Sequence, residues 1–381
     1  MKIQGALTIH KSVPISHHIK TAFGTMKCRE AVFIIIEDET GKRGIGDSWV
    51  NFPVWAPPAR LAMYERAIIP AIEGEEVTDI PEFTTRIYER LLGQALQSGT
   101  VGPLLQGICG LELALWDLRA QREELPLCRL LFTSPKSKVR IYASGINSPI
   151  PFDLIDEYLD RGVTLFKLKL GFSEYEDRSN LDTLCSYLKG RAEVAVDVNR
   201  GWDMETAVHR LPILSEYNVK WIEEPLRPPE EARIEELRTL TGIHIAGGEN
   251  VMIPPGPLTE GTITTEKRRR SAGIVTPSLL DSGFDIVQPD ITKYAPLHKA
   301  CEMIHHIEGV GKIVVPHFLG PAPGQAASLH FAAGCREGLA EWDINRNPLR
   351  TDFLSPAFDI RDGCIEIPDK PGLGWQRIVS L

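Results

Sequence analysis

The chain has 381 residues, 43 % apolar and 24 % charged, a composition that excludes disordered and collagen-like classes and leaves room for a large core plus a second unit. A net charge of -9 argues against nucleic acid as a partner, because phosphate binding needs clustered positive charge. The apolar runs stop short of the roughly 18 residues that span a bilayer, and MKIQGALTIHKSVP lacks a long apolar core with a cleavage site, so a cytoplasmic protein with no membrane partner is expected.

In chain order, AVFIIIEDETGKRGIGDSWV reads as strand, a turn at Glu39-Thr40-Gly41, and strand. Residues 58 to 95 and 104 to 124 read as helices, which makes the first 130 residues an α+β unit. From about 139 a new rhythm sets in, a short apolar run followed by an amphipathic stretch. Eight strand candidates result: 139–145, 165–171, 193–199, 219–225, 244–250, 284–290, 312–318 and 339–343. Between the second and third, Leu181, Leu184, Cys185 and Leu188 share one helical face, with Gly190 placed to cap the helix.

Alternating strands and helices imply parallel strands, and eight of them close naturally into a barrel. The expected division is a capping domain at 1–130, a barrel at 131–348, and a Pro- and Gly-rich segment at 349–381 that returns to the cap. The KRRR run at 267–270 reads as a solvated loop. Seven scattered cysteines without a CxxC pair suggest neither disulfides nor zinc, and read as thiols in a reducing compartment.

Nearly every barrel strand ends in a polar residue that packing would not select: Lys167 and Lys169, Asp197 and Asn199, Glu223 and Glu224, Glu249 and Asn250, Asp290, His317, and Glu341. That end of such a barrel carries the active site. Asp197, Glu223 and Glu249 are spaced 26 residues apart, one strand-helix unit each time, so three carboxylates converge from adjacent strands. Three oxygen ligands with positions left for water and substrate suit Mg2+. Lys167 and Lys169 are two apart and point the same way, into the barrel. Desolvation beside a metal is expected to depress a lysine pKa and make it a base. Asp290 and His317 end neighbouring strands, where the carboxylate can fix the imidazole tautomer.

Taken together, KxK at 167–169, DxN at 197–199, WIEEP at 221–225, GGEN at 247–250, QPD at 288–290, PH at 316–317 and EWD at 341–343 resemble the enolase superfamily, within it the mandelate racemase subgroup. The resemblance spans nearly the whole chain, with GLELALWDLRA at 110–120 similar to the helix that precedes the family's barrel. It implies a (β/α)7β modified TIM barrel with an α+β cap, a small carboxylate substrate and a Mg2+ ion on Asp197, Glu223 and Glu249. It further implies that Lys169 is one general acid/base and His317 with Asp290 the other, that Lys167 neutralises the substrate carboxylate, and that Glu341 hydrogen-bonds it as an enediolate forms. A homo-oligomer is expected.

The implied chemistry is abstraction of the proton α to a carboxylate, which a dense cationic cluster makes accessible. Dehydration of an acid sugar to a 2-keto-3-deoxy acid is the favoured outcome; racemisation or epimerisation is the alternative, and a non-catalytic metal-binding relative a third. Two departures from the family bear on substrate: about 15 extra residues between Glu249 and Asp290, and Tyr294-Ala295 in place of a glycine pair. Specificity is expected from the cap, with His17, His18, Trp49, Asn51, Phe52 and Trp55 as candidates alongside Asn199.

Overall fold

The computed structural model describes residues 1–21, 24–256, 283–352, 354–355, 357–374 and 376–377; at 16–18, 20–21, 354–355 and 376–377 it describes the backbone. The KRRR run and most of the insertion after Glu249 lie outside the described residues.

Three antiparallel strands open the chain: β1 (Ile3–Thr21), β2 (Gly24–Asp38) and β3 (Arg43–Ser48). The turn between β2 and β3 is held by the Asp38 carboxylate, which accepts the Thr40 and Lys42 N–H groups at 2.8 and 3.1 Å. Strand alternation then divides β2 between two cores. Val32, Ile34 and Ile36 pack on the cap helices, whereas Ala31, Phe33 and Ile35 join the barrel core.

The cap helices are α1 (Ala56–Met63), α2 (Ile80–Ser98) and α3 (Val101–Arg122). The single helix expected over 58–95 is corrected to two. Helical turns continue from α1 to Ile72, Gly74 then takes a left-handed conformation (φ +78°), and the chain restarts where Asp79 caps α2 by accepting the Glu82 N–H at 2.7 Å. Pro81 fits the first turn of α2, where no N–H is needed. Helix α3 is long and apolar enough to cross a membrane, but 89 % of its most apolar stretch is buried inside the protein. It lies directly on β3, because a Cβ on Gly44 or Gly46 would fall 2.0 and 1.8 Å from the carbonyl oxygens of Ala114 and Gly110.

The barrel strands are β4 (Lys138–Ile146), β5 (Leu165–Lys169), β6 (Glu193–Asp197), β7 (Trp221–Glu223), β8 (His244–Gly247), β9 (Ile286–Val287), β10 (Ile313–Val314) and β11 (Leu339–Asp343). Parallel ladders run from β4 to β10 in sequence order, and β11 pairs with β4. Among the described residues no ladder joins β10 to β11. The Phe318 N–H donates to Glu341 Oε2 at 3.1 Å across that seam. Helices α4 (Phe152–Asp160), α5 (Glu174–Leu188), α6 (Met204–Glu216), α7 (Ile234–Thr239), α8 (Leu297–Gly309) and α9 (Ala322–Ala332) fill the crossovers. The fold is thus α/β, a modified TIM barrel of parallel strands under an α+β cap.

Helix α5 shows why sequence pattern sufficed. Ser173 and Glu176 form a reciprocal capping box, and Leu181, Leu184 and Leu188 are buried. The left-handed turn that ends it begins at Lys189 (φ +47°), one residue before the expected Gly190. Near the C-terminus, Cys364–Glu366 pairs antiparallel with the start of β4, and the Leu373 N–H donates to Asp117 of α3 at 2.9 Å.

Candidate active site

Alternation along the strands sorts the barrel interior into layers. Tyr142, Leu165, Ala195, Trp221, Ala246, Ile286 and Val315 form an apolar cluster. One step further along the same faces stand Lys167, Asp197 and Glu223, with Lys169 beyond. Register fixes neighbours: Lys169 lies opposite Asp197, and Asp197 opposite Glu223.

Lys167 is fully buried and ion-paired to Glu223, to Glu341 at 2.7 Å and to Asp197 at 3.8 Å, with its ammonium 5.4 Å from the Tyr142 ring centroid. Lys169 Nζ donates to Asp197 Oδ2 at 2.5 Å. Burial pushes both lysines down, but the facing carboxylates outweigh it and hold both above the ordinary value. Each buried ammonium has an anion beside it, and those anions include the carboxylates that a divalent cation would share.

Glu223 also accepts Gln288 Nε2 at 2.6 Å, and burial together with Asp197 and Glu341 raises it to about 7 against the pull of Lys167. Asp197 accepts the Asn199 N–H at 2.8 Å and its Nδ2 at 3.1 Å; burial raises it, but Lys169 and Lys167 hold it below the usual range. Glu341 accepts Ser144 Oγ at 2.6 Å.

Across the site, His317 Nδ1 lies 2.8 Å from Asp290 Oδ2, and its Nε2 lies 2.5 Å from Glu249 Oε2. Asp290 is itself held by the Thr292 N–H and hydroxyl at 2.8 and 2.7 Å. Burial lowers the His317 pKa, yet Glu249 and Glu341 lift it well above the ordinary value. Glu249 is correspondingly held well below its usual range by His317 and Lys293 despite burial.

These groups face a pocket of about 630 Å³, counted to its open mouth. Lys169, Asn199, Glu249 and His317 line its barrel side; Trp49, Asn51 and Phe52 line its cap side. Lys167 and Glu341 are fully buried beneath it. Trp55 is 68 % exposed and is not among the residues that line it. The side chains of His17 and His18 lie outside the described residues.

Pattern reading missed Arg29, Asn345 and Lys293. Arg29 and Asn345 line the pocket, and Lys293 bonds Asn250 at 2.7 Å with its ammonium 4.5 Å from the Trp49 ring centroid. A signal for Arg29 existed: it continues the alternate positions of Ala31, Phe33 and Ile35, the barrel-facing side of β2. Asp47, at the end of β3, was also missed. It is buried with Oδ2 unpartnered, and burial and Asp290 push its carboxyl well up.

Asp197, Glu223 and Glu249 fit a hard divalent cation by chemistry. All their donors are oxygen, they repel one another, and the Asn199 Oδ1 beside them is buried without a partner. Among the described residues, no three acidic, histidine or cysteine side chains already converge on one point, because Lys167, Lys169 and His317 occupy the carboxylate oxygens.

Residues 3–131 match the family described as Mandelate racemase / muconate lactonizing enzyme, N-terminal domain, and 153–255 with 259–377 match Enolase C-terminal domain-like. The chain belongs to the mandelate racemase/muconate lactonizing enzyme family of the enolase superfamily. Members of this superfamily are enzymes that use a divalent metal.

Among family members, L-talarate/galactarate dehydratase of Salmonella typhimurium is 26 % identical over 373 residues, 96 % of this chain and 85 % of that protein. D-galactarolactone cycloisomerase of Agrobacterium fabrum is 24 % identical over 378 residues, 94 % of this chain and 93 % of its own. A mandelate racemase/muconate lactonizing enzyme from Bordetella bronchiseptica superposes with a TM-score of 0.80 at 27 % identity, covering 99 % of this chain and 97 % of its own. A racemase from Streptomyces coelicolor, solved with bound magnesium, superposes at 0.79 with 22 % identity, covering 98 % of this chain and 97 % of its own. The family's reactions at this distance include dehydration, cycloisomerisation and epimerisation.

Proposed function

We propose that this protein removes the proton α to the carboxylate of an acid sugar and expels the hydroxyl on the next carbon, giving a 2-keto-3-deoxy acid. The observation that carries the reading is the pair of proton carriers lining one pocket, Lys169 at the end of β5 and the His317–Asp290 dyad just beyond β10 and β9. Asp197, Glu223 and Glu249 would hold Mg2+, which when bound supplies positive charge to the substrate carboxylate and competes with Lys169 for Asp197.

In this reading Lys169 Nζ takes the α-proton as a neutral amine, the form it reaches by releasing its own proton when Asp197 is drawn to the cation. His317 is suited to the other step: in its charged form, with Asp290 fixing Nδ1, it donates the Nε2 proton to the departing hydroxyl, which leaves as water. Lys167, buried among Glu223, Glu341 and Asp197, holds their carboxylates in place and supplies fixed positive charge under the developing enediolate. Dehydratases of talarate/galactarate, arabinonate and xylonate among the relatives are in keeping with this reading.

The test is incubation of purified protein and Mg2+ with a panel of aldonic and aldaric acids, assayed for 2-keto acid. Deuterium uptake at the α-carbon from heavy water without product would replace dehydration by epimerisation, which the same two proton carriers also permit. Lys169→Ala should then abolish exchange on one face and spare part of the His317-dependent exchange; identical losses in Lys169→Ala and His317→Ala would refute the division of roles.

A further inference from the structure

We propose that Arg29 forms an anion-recognition point on the cap side of the pocket and selects substrates that carry a second carboxylate. The inference rests on the acid-sugar reading above and narrows it to dicarboxylic acids. Arg29 stands on the barrel-facing side of β2, is 1 % exposed and lines the pocket. A guanidinium so buried needs anions around it.

The structure supplies too few. Arg29 Nη2 pairs with Asp343 Oδ2 at the end of β11. The other oxygen, Oδ1, is taken by the Asn345 N–H and Nδ2, each at 2.9 Å. A second buried guanidinium, Arg350, shares this neighbourhood: it stacks 4.4 Å over Trp342, donates to the Asn345 carbonyl at 3.4 Å, and is attracted by Asp343 and repelled by Arg29. Two guanidinium groups thus share one carboxylate. Among the described residues no other acidic side chain pairs with either.

Unpartnered donors mark the same excess. Arg29 Nε and Arg350 Nε and Nη1 are buried with no hydrogen-bond acceptor, and the remaining contact of Arg29 is Nη1 to the Met26 sulfur at 3.6 Å, a weak acceptor. Of the two cations only Arg29 lines the pocket. Ile19, Met26 and Leu319 line it too and offer no competing charge. An anion arriving through the pocket would meet one unbalanced positive charge on the cap side while its reacting carboxylate faces Lys169 and the metal-binding carboxylates. Asp343 acts as a positioning residue, holding Arg29 and Asn345 at once.

The test separates binding from turnover. His317→Asn protein with Mg2+ is titrated calorimetrically with an aldaric acid and the aldonic acid of equal length and configuration. The diacid should bind about 10- to 100-fold tighter, the range of a charge-assisted hydrogen bond. Adding Arg29→Gln should bring that ratio close to one, and Arg29→Lys, which keeps charge without the planar fork, should lower it part of the way. A ratio near one before Arg29 is changed, or a ratio that both substitutions leave intact, overturns the proposal. Failure of unaltered protein to form 2-keto acid from any acid would instead overturn dehydration, because the binding ratio does not depend on product.

Discussion

Two layers of the same barrel, a few ångströms apart along the strands, are built on opposite principles. In the lower one, Trp221 meets Tyr142 edge-on at 5.2 Å between centroids, and Ala195 and Ala246 leave room for the two rings, so large and small residues interdigitate without charge. In the upper one, Lys167, Lys169, Asp197, Glu223, Glu341, His317 and Glu249 crowd together, each cation paired to at least one acid. Both layers are closed to water except at the pocket. The lower layer gains from burial itself, whereas the upper one pays desolvation for every group and recovers it only through its partners.

The largest effect expected on this contrast is at Lys169. Lys169→Met removes a proton carrier from the upper layer together with the nearest cation of Asp197, so kcat for 2-keto acid formation should fall by about 10²- to 10⁴-fold and stability by roughly 3 kcal/mol. Loss of folding rather than of kcat would show that the upper layer is structural. In the lower layer turnover is spared: Trp221→Ala should cost about 3–5 kcal/mol of stability in denaturant titration while the folded fraction keeps turning over.

Lys167 belongs to the upper layer but stands over the Tyr142 ring of the lower one, and should behave as both. Lys167→Met leaves Glu223 and Glu341 without their shared cation, so stability should drop by roughly 3 kcal/mol and turnover should fall as well; a variant as stable as the parent would show that the pairing is dispensable.

The smallest effect is expected outside both layers, at Asp177, which accepts the Phe172 N–H at 3.2 Å just beyond β5. Burial raises its pKa to about 6, more than these hydrogen bonds and Arg210 can offset. A raised acid favours the folded state when protonated. Its contribution is complete below the ordinary value of 3.8 and is lost as pH rises through about 6. Asp177→Asn should therefore gain stability relative to the parent across that window, by roughly 1–3 kcal/mol, as read from paired melting curves. A constant difference from pH 4 to pH 7 would remove Asp177 from the acid-side titration.

Much of the site was legible because strand ends and repeat lengths are local properties. The 26-residue steps that carry Asp197, Glu223 and Glu249 reflect one strand and one helix each, and LFKLKLGF announces inward lysines by alternation alone. The helix break at Gly74 was missed, because an apolar rhythm on both sides of a turn looks continuous until one backbone dihedral interrupts it.

Sequence alone therefore determined the eight barrel strands, the face on which the lysines stand and the family. Only the tertiary structure decided which charges meet. Arg29 and Asp343 are 314 positions apart, Glu341 and Ser144 are 197 apart, and neither pairing follows from any local period. The same closure decided the sign of the lysine pKa shifts. Desolvation can be anticipated from an apolar run, but the anions that outweigh it arrive from other strands, and Coulomb attraction at 2.5 to 4 Å depends on where the chain brings them.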